Sequence, residues 1–196
     1  MIANAVTGPP CRSPQDVEAA TMLRQMDLSE GTALILVDLQ HRIVDLPVGP
    51  RTGQEVVSAA ARLRDAFVAA GAPVVLVRVV RPDGSDGGDA ADGNKFVPAI
   101  APVADEHVVT KHTLSAFPDT DLHEHLRARS VERVVVAGIA TEKGVQSTAA
   151  DAAELGYQVV VVEDATSGLN TEDHTTACTE TLPAIGTVTS SADILS

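Results

Sequence analysis

The chain has 196 residues, with 14 Lys plus Arg against 27 Asp plus Glu and a formal net charge of −13. That length fits one domain with a real core, and a hydrophobic share of 44% argues against a solvated, disordered chain. The negative balance excludes a general binder of nucleic-acid backbone and an electrostatic anchor on an anionic membrane, since both need basic surface.

In chain order, Gly8, Pro9, Pro10 and Pro14 mark residues 1–30 as an N-terminal arm, with a short helix predicted from Pro14 to about Met26. The start lacks a basic segment followed by a long apolar run, as a secretory signal would have. No stretch approaches the roughly 18 consecutive apolar residues of a membrane span. Cys11 and Cys178 read as separate thiols in a reducing compartment. The expectation is a cytoplasmic protein, with residues 31–196 forming one α/β domain.

Ala33 to Val37 is a branched apolar run ending abruptly at Asp38, the pattern of a buried parallel strand. Arg51 to Ala70 is the clearest helix, with Val56, Val57, Ala60, Leu63, Phe67 and Ala70 forming its apolar stripe and Gly71 its stop. Val74 to Val80 is the second strand. Arg81 to Lys95 is rich in Gly and Asp and reads as a long exposed loop with no contribution to a core. Its aspartates do not reproduce the spacing of an EF-hand calcium loop.

Val108 to Lys111 gives a short strand and Asp121 to Arg129 a short helix. Arg133 to Ala137 is a strand, then Gly138 and a helix from about Lys143 to Leu155, which Gly156 ends. Tyr157 to Val162 is the next strand. A last helix over Thr171 to Leu182 precedes a strand at Gly186 to Val188 and a polar tail. Strands alternating with helical crossovers predict a three-layer α/β/α sandwich with a mostly parallel sheet of five or six strands.

Such sheets place ligands outside the C-terminal ends of their strands, where strand order reverses. That rule selects Asp38, Lys111 and the turn from Gly138 to Gly144. Asp38 could give a proton if burial raises its pKa, whereas a neighbouring lysine favours the carboxylate; the two effects oppose each other. Lys111 could orient Asp38 or hold an anion. The alternative for the pair is an ordinary strand-end cap or ion pair.

Three separated segments are Asp38-Leu39-Gln40, Lys111-His112-Thr113-Leu114-Ser115-Ala116-Phe117, and Gly138-Ile139-Ala140-Thr141-Glu142-Lys143-Gly144-Val145. With Ser147 to Ala152 and Val162 to Ala165, they resemble the isochorismatase-like hydrolase superfamily over roughly residues 32 to 191. In its cysteine-hydrolase branch, the position matching Gly144 carries a nucleophilic cysteine. Glycine has no nucleophile, so amide hydrolysis through an acyl-cysteine is disfavoured. Cys178, on the last helix, lies outside the motif.

Some true isochorismatases resemble this arrangement in keeping the aspartate and lysine but carrying glycine in place of the cysteine. The resemblance then implies that Asp38 protonates an enol ether, isochorismate being the named representative, and that Lys111 tunes Asp38 or holds a substrate carboxylate. It implies a non-proline cis bond at Ile139-Ala140, backbone amides of Ala140 and Gly144 facing an anion, and a homo-oligomer. Arg78 and Arg81 are candidate anion contacts, and Phe96 and Phe117 line the pocket or pack in the core. Isochorismatase turns commonly read G-V-Y-A-H-x-G, so Ala140 lacks the tyrosine and Glu142 adds negative charge. A protein that has lost catalysis and binds a metabolite or protein partner is the alternative.

No cofactor is expected. The chain lacks a phosphate-binding P-loop and a dinucleotide fingerprint at a strand–helix junction. Its 6 histidines, His41, His107, His112, His123, His125 and His174, do not form a compact metal-ligand motif. The partner expected is a small-molecule substrate, not nucleic acid or membrane.

Overall fold

In the computed structural model, residue 28 and residues 31–103 and 106–196 are described. The arm helix predicted over Pro14 to Met26 and Cys11 lie outside them. Among the described residues, β1 (Thr32–Val37), β2 (Val74–Val79), β3 (His107–Lys111), β4 (Arg133–Ile139), β5 (Gln158–Ser167) and β6 (Thr187–Thr189) form one 6-stranded sheet. Every neighbouring pair is parallel, in the order β3-β2-β1-β4-β5-β6.

Alternate residues of β1 enter different cores. Leu34 and Leu36 pack with Val56, Leu63 and Phe67 of α2 (Gly53–Ala69), while Ala33, Ile35 and Val37 face the other side. There they meet Leu122 and Leu126 of α3 (Leu122–Ala128) and Ala149 and Ala152 of α4 (Gln146–Glu154). Burial on both faces explains why β1 reads as a continuous apolar run rather than an alternating one. The sheet between two helical layers is the sandwich expected.

Several boundaries differ from expectation for local reasons. The helix predicted from Arg51 starts at Gly53, because Thr52 caps it: the Thr52 hydroxyl accepts from Glu55 N, and Glu55 Oε2 accepts from Thr52 N at 2.8 Å. A short helix, α1 (His41–Val44), precedes it. The helix expected from Lys143 begins instead with a π turn over Thr141–Val145, and α4 follows. β5 runs on past Val162 to Ser167, shifting register between Val136 and Gly138 of β4.

The last predicted helix is broken into α5 (Thr171–Thr176), a π turn (Ala177–Thr181) and a 3-10 turn at Leu182–Ala184. Pro183 lies within that last turn and has no N–H with which to continue an α-helix. The tail closes with α6 (Ser191–Ile194), capped by Ser190, and Ile194 joins the core. The Gly-Asp loop also differs from expectation: Asn94 within it is buried and donates to the carbonyls of Asp86 and Gly88. Among the described residues, no helix is long and apolar enough to cross a membrane.

Candidate active site

Chain order reverses between β1 and β4, which lie side by side at the centre of the sheet. Their C-terminal ends therefore flank the crevice in which doubly wound folds bind ligands. Asp38 follows β1 with φ of 57°, a left-handed conformation that aspartate tolerates better than most side chains. Gly138 makes room for this junction: a Cβ there would stand 2.1 Å from Val37 O, and its φ of 130° suits glycine alone.

Asp38 and Lys111 meet. Lys111 Nζ lies 2.9 Å from Asp38 Oδ2, and both residues are buried. The ammonium also donates to Thr113 O at 3.1 Å and Leu114 O at 2.8 Å, which occupies its three hydrogens. Asp38 Oδ1, by contrast, is buried with no hydrogen-bond partner. Burial pushes the Asp38 carboxyl up to about 6, against the opposing pull of the Lys111 charge and hydrogen bond and of the Arg42 charge. Desolvation outweighs the lysine, which answers the competition left open by the residue types alone.

The third component is the turn after β4. Ile139-Ala140 is a cis peptide, as the family resemblance implied. Ala140 is buried, and its carbonyl accepts from Lys143 N at 3.1 Å and Val145 N at 3.3 Å. This π turn brings Gly144 over the charged pair. A Cβ at Gly144 would lie 3.1 Å from Asp38 Oδ2, 3.1 Å from Val37 Cγ1 and 3.5 Å from Lys111 Nζ. A side chain at this one position would thus touch both members of the pair.

The two arginines expected near an anion have other partners. Arg78 donates to Thr110 Oγ1 at 2.9 Å and pairs with Asp89 at 2.8 Å. Arg81 is exposed, donating from its guanidinium to Ser85 Oγ at 3.2 Å and from its backbone N–H to Asp86 at 2.8 Å. The two phenylalanines lie on opposite faces of the sheet. Phe96 packs half-buried against the α2 side, while Phe117 is buried on the α3 side with its ring centroid 6.1 Å from that of Tyr157.

A buried polar frame around β1 and the loop is not evident from residue types alone. Gln40 donates to Val79 O at 2.9 Å and Asn94 O at 3.0 Å, and accepts from Val79 N at 2.9 Å. Arg42 donates to Asn94 Oδ1 and to Val79 O. Gln40 belongs to the Asp38-Leu39-Gln40 segment, so its place carries a signal; Asn94, inside a Gly-Asp segment, carries none.

The isochorismatase domain model matches residues 32–193. The chain belongs to the isochorismatase family. YecD of Escherichia coli O157:H7, an uncharacterized isochorismatase family protein, is 37% identical over 177 residues, 84% of this chain and 94% of YecD. The solved structure of an isochorismatase family protein from Burkholderia thailandensis is 38% identical, with a TM-score of 0.79 over 85% of this chain and 94% of its own. A relative named for an activity, the streptothricin hydrolase of Streptomyces noursei, is 34% identical over 140 residues, 68% of this chain and 48% of that enzyme.

Elsewhere in this isochorismatase-family chain, a cavity of about 960 Å³ is lined by Gly31, Pro73, Val74, Glu106 and Arg129. It sits at the N-terminal ends of β1 and β2, opposite Asp38, and its buried carboxylate, Glu106, is paired with Arg64, whereas Asp38 keeps an unpartnered oxygen. Among the described residues, no group of three or more His, Cys, Asp and Glu is placed to hold a metal. His123 Nδ1 lies 3.0 Å from the Tyr157 hydroxyl, and His107 stacks on His125 with ring centroids 3.7 Å apart. Cys178 is buried, and burial pushes its thiol up to about 11, which makes it a poor nucleophile.

Proposed function

We propose that this family member hydrolyses a small molecule by noncovalent acid–base chemistry, with Asp38 as the proton donor. The observation that carries the reading is a buried carboxyl raised to about 6, with one oxygen unpartnered, beside a glycine that offers no nucleophile. An enol ether is the substrate class that suits this chemistry, isochorismate being its representative. Asp38 gives its proton to the vinyl carbon and leaves an oxocarbenium ion. Water adds to that centre and returns a proton to Asp38, and the hemiketal collapses to a ketone and an alcohol.

In this scheme burial keeps the proton available, and Lys111 stabilises the carboxylate formed as it leaves. At neutral pH a group titrating near 6 is protonated in about a tenth of molecules, enough for an acid of moderate strength. Because the three hydrogens of Lys111 already have acceptors, a tuning role fits it better than receipt of a substrate carboxylate. Homo-oligomeric assembly, which the resemblance implies, stands with this proposal; light scattering that found a monomer at every working concentration would remove it.

The test is a product assay on a panel of isochorismate, simpler enol ethers and amides, run on the wild type and on Gly144→Cys. The wild type is expected to turn over an enol ether many times without a covalent adduct by intact mass. Gly144→Cys is expected to lose much of that turnover, because its Cβ crowds Asp38 Oδ2 at 3.1 Å, and not to become an efficient amidase. Rapid amide release through an acyl adduct in that variant would show a site already arranged for covalent catalysis. Saturable binding with no product across the panel would favour a protein that has lost catalysis.

A further inference from the structure

The turn that carries Gly144 faces Asp38, where a Cβ would stand 3.1 Å from Oδ2, and a pair of contacts from the segment after β5 holds the turn. Glu142 Oε1 accepts from Leu169 N at 3.2 Å. More deeply, Thr141 Oγ1 lies 2.8 Å from His174 Nδ1, with both residues buried. His174 sits on α5, more than thirty residues away in sequence, so this contact ties two elements that no local interaction would hold together.

Around the ring stand Thr141 and Glu142 from the turn, Arg51 from the segment before α2, Glu163 from β5, and Cys178 from the π turn after α5. Arg51 Nη1 is 3.5 Å, Cys178 Sγ 3.7 Å and Glu163 Oε1 3.8 Å from His174 Nε2. Arg51 in turn pairs with Glu163 at 3.3 Å and donates to the Glu163 carbonyl at 3.2 Å. The ring is therefore gripped at both nitrogens. Nε2 belongs to an anchoring network with Arg51 and Glu163, whereas Nδ1 reaches the turn. A hydroxyl both donates and accepts, so the bond to Thr141 forms whichever nitrogen of the neutral ring holds the proton.

We propose that His174 is a positioning residue that, through Nδ1 and the Thr141 hydroxyl, presses the Gly144 turn onto Asp38. This rests on the reading of Asp38 as the reacting acid, and it assigns His174 no contact with substrate. Its mechanism is exclusion of water. With the turn seated, Asp38 stays dry and keeps its proton; with the turn loosened, water reaches the carboxyl and the proton is held less tightly.

Two conservative substitutions separate the ends of the ring. Asparagine places an amide atom where Nδ1 stands, while glutamine extends one toward Nε2. We would measure the Asp38 titration midpoint by carboxyl carbon NMR in folded His174→Asn, His174→Gln and Thr141→Val proteins, alongside kcat and KM. His174→Asn is expected to keep the wild-type midpoint. His174→Gln and Thr141→Val are expected to lower it by roughly one unit, with kcat reduced and KM little changed, because burial is what holds it up. An unchanged midpoint in both His174 variants, or rescue by glutamine but not asparagine, would overturn the proposal. Should both variants lower it, Thr141→Val decides: a lowered midpoint there supports the proposal and an unchanged one overturns it. The titration needs no turnover, so the expected NMR pattern in a protein that forms no product would sink the hydrolase reading alone.

Discussion

Asp38→Asn is expected to lower kcat/KM by about 10²–10⁴-fold, the usual weight of a positioned general acid. The substitution is nearly isosteric, and asparagine tolerates the left-handed backbone that position 38 adopts with φ of 57°. Its amide oxygen can still accept from Lys111, so the pair in which Nζ now lies 2.9 Å from Oδ2 keeps its shape. What disappears is the proton. Steady-state kinetics with circular dichroism and thermal melting in parallel would read this; unchanged turnover in a folded variant would remove the acid role.

Lys111→Met is expected to cost about 3–5 kcal/mol of stability at neutral pH, because it strands a buried carboxyl. Methionine fills similar space, yet Thr113 O and Leu114 O lose the donor they share. With the opposing charge gone, burial drives Asp38 above its present value of about 6. A carboxyl raised in the folded state contributes stability fully present below its unfolded pKa, near about 4, and lost as pH rises through the folded value. Raising the folded value further extends that loss to higher pH. Urea unfolding should thus show a larger deficit against wild type at pH 8 than at pH 4.5. An equal deficit at both would mean that the lysine acts by packing alone.

The strands were legible because parallel strands buried on both faces cannot alternate, and so Ala33 to Val37 and Val74 to Val77 stand out as apolar runs. β5 was read short for the opposite reason. Glu163 and Asp164 look like a strand end, but Asp164 accepts from Ser191 N and its hydroxyl, and Thr166 and Ser167 continue the pairing with Gly138 and Ile139. Polar residues satisfied by a distant partner leave no periodic trace.

The same distinction divides the site. Asp38, Lys111 and Gly144 were legible because each ends a strand or a motif at the sheet's crevice. Arg78 and Arg81 were read from their place near a strand end; in the fold the Arg78 guanidinium pairs with Asp89 of the adjoining loop, while that of Arg81 is exposed and donates to Ser85 Oγ. His174 gave no signal at all. Its partner Thr141 is 33 residues away, and a polar residue on a short helix reads as solvated surface until the fold brings α5 against the turn.

The most direct test of noncovalent acid catalysis is the pH dependence of kcat/KM for the enol ether turned over best, between about pH 4.5 and 8.5. Asp38 must hold its proton to act, and it titrates at about 6. The rate should be level below that value and fall roughly tenfold per pH unit above it, with the midpoint matching the Asp38 titration seen by NMR. A rate that rises through pH 6, or stays flat across it, would mean that the reaction uses the carboxylate or does not use Asp38, and would contradict the account.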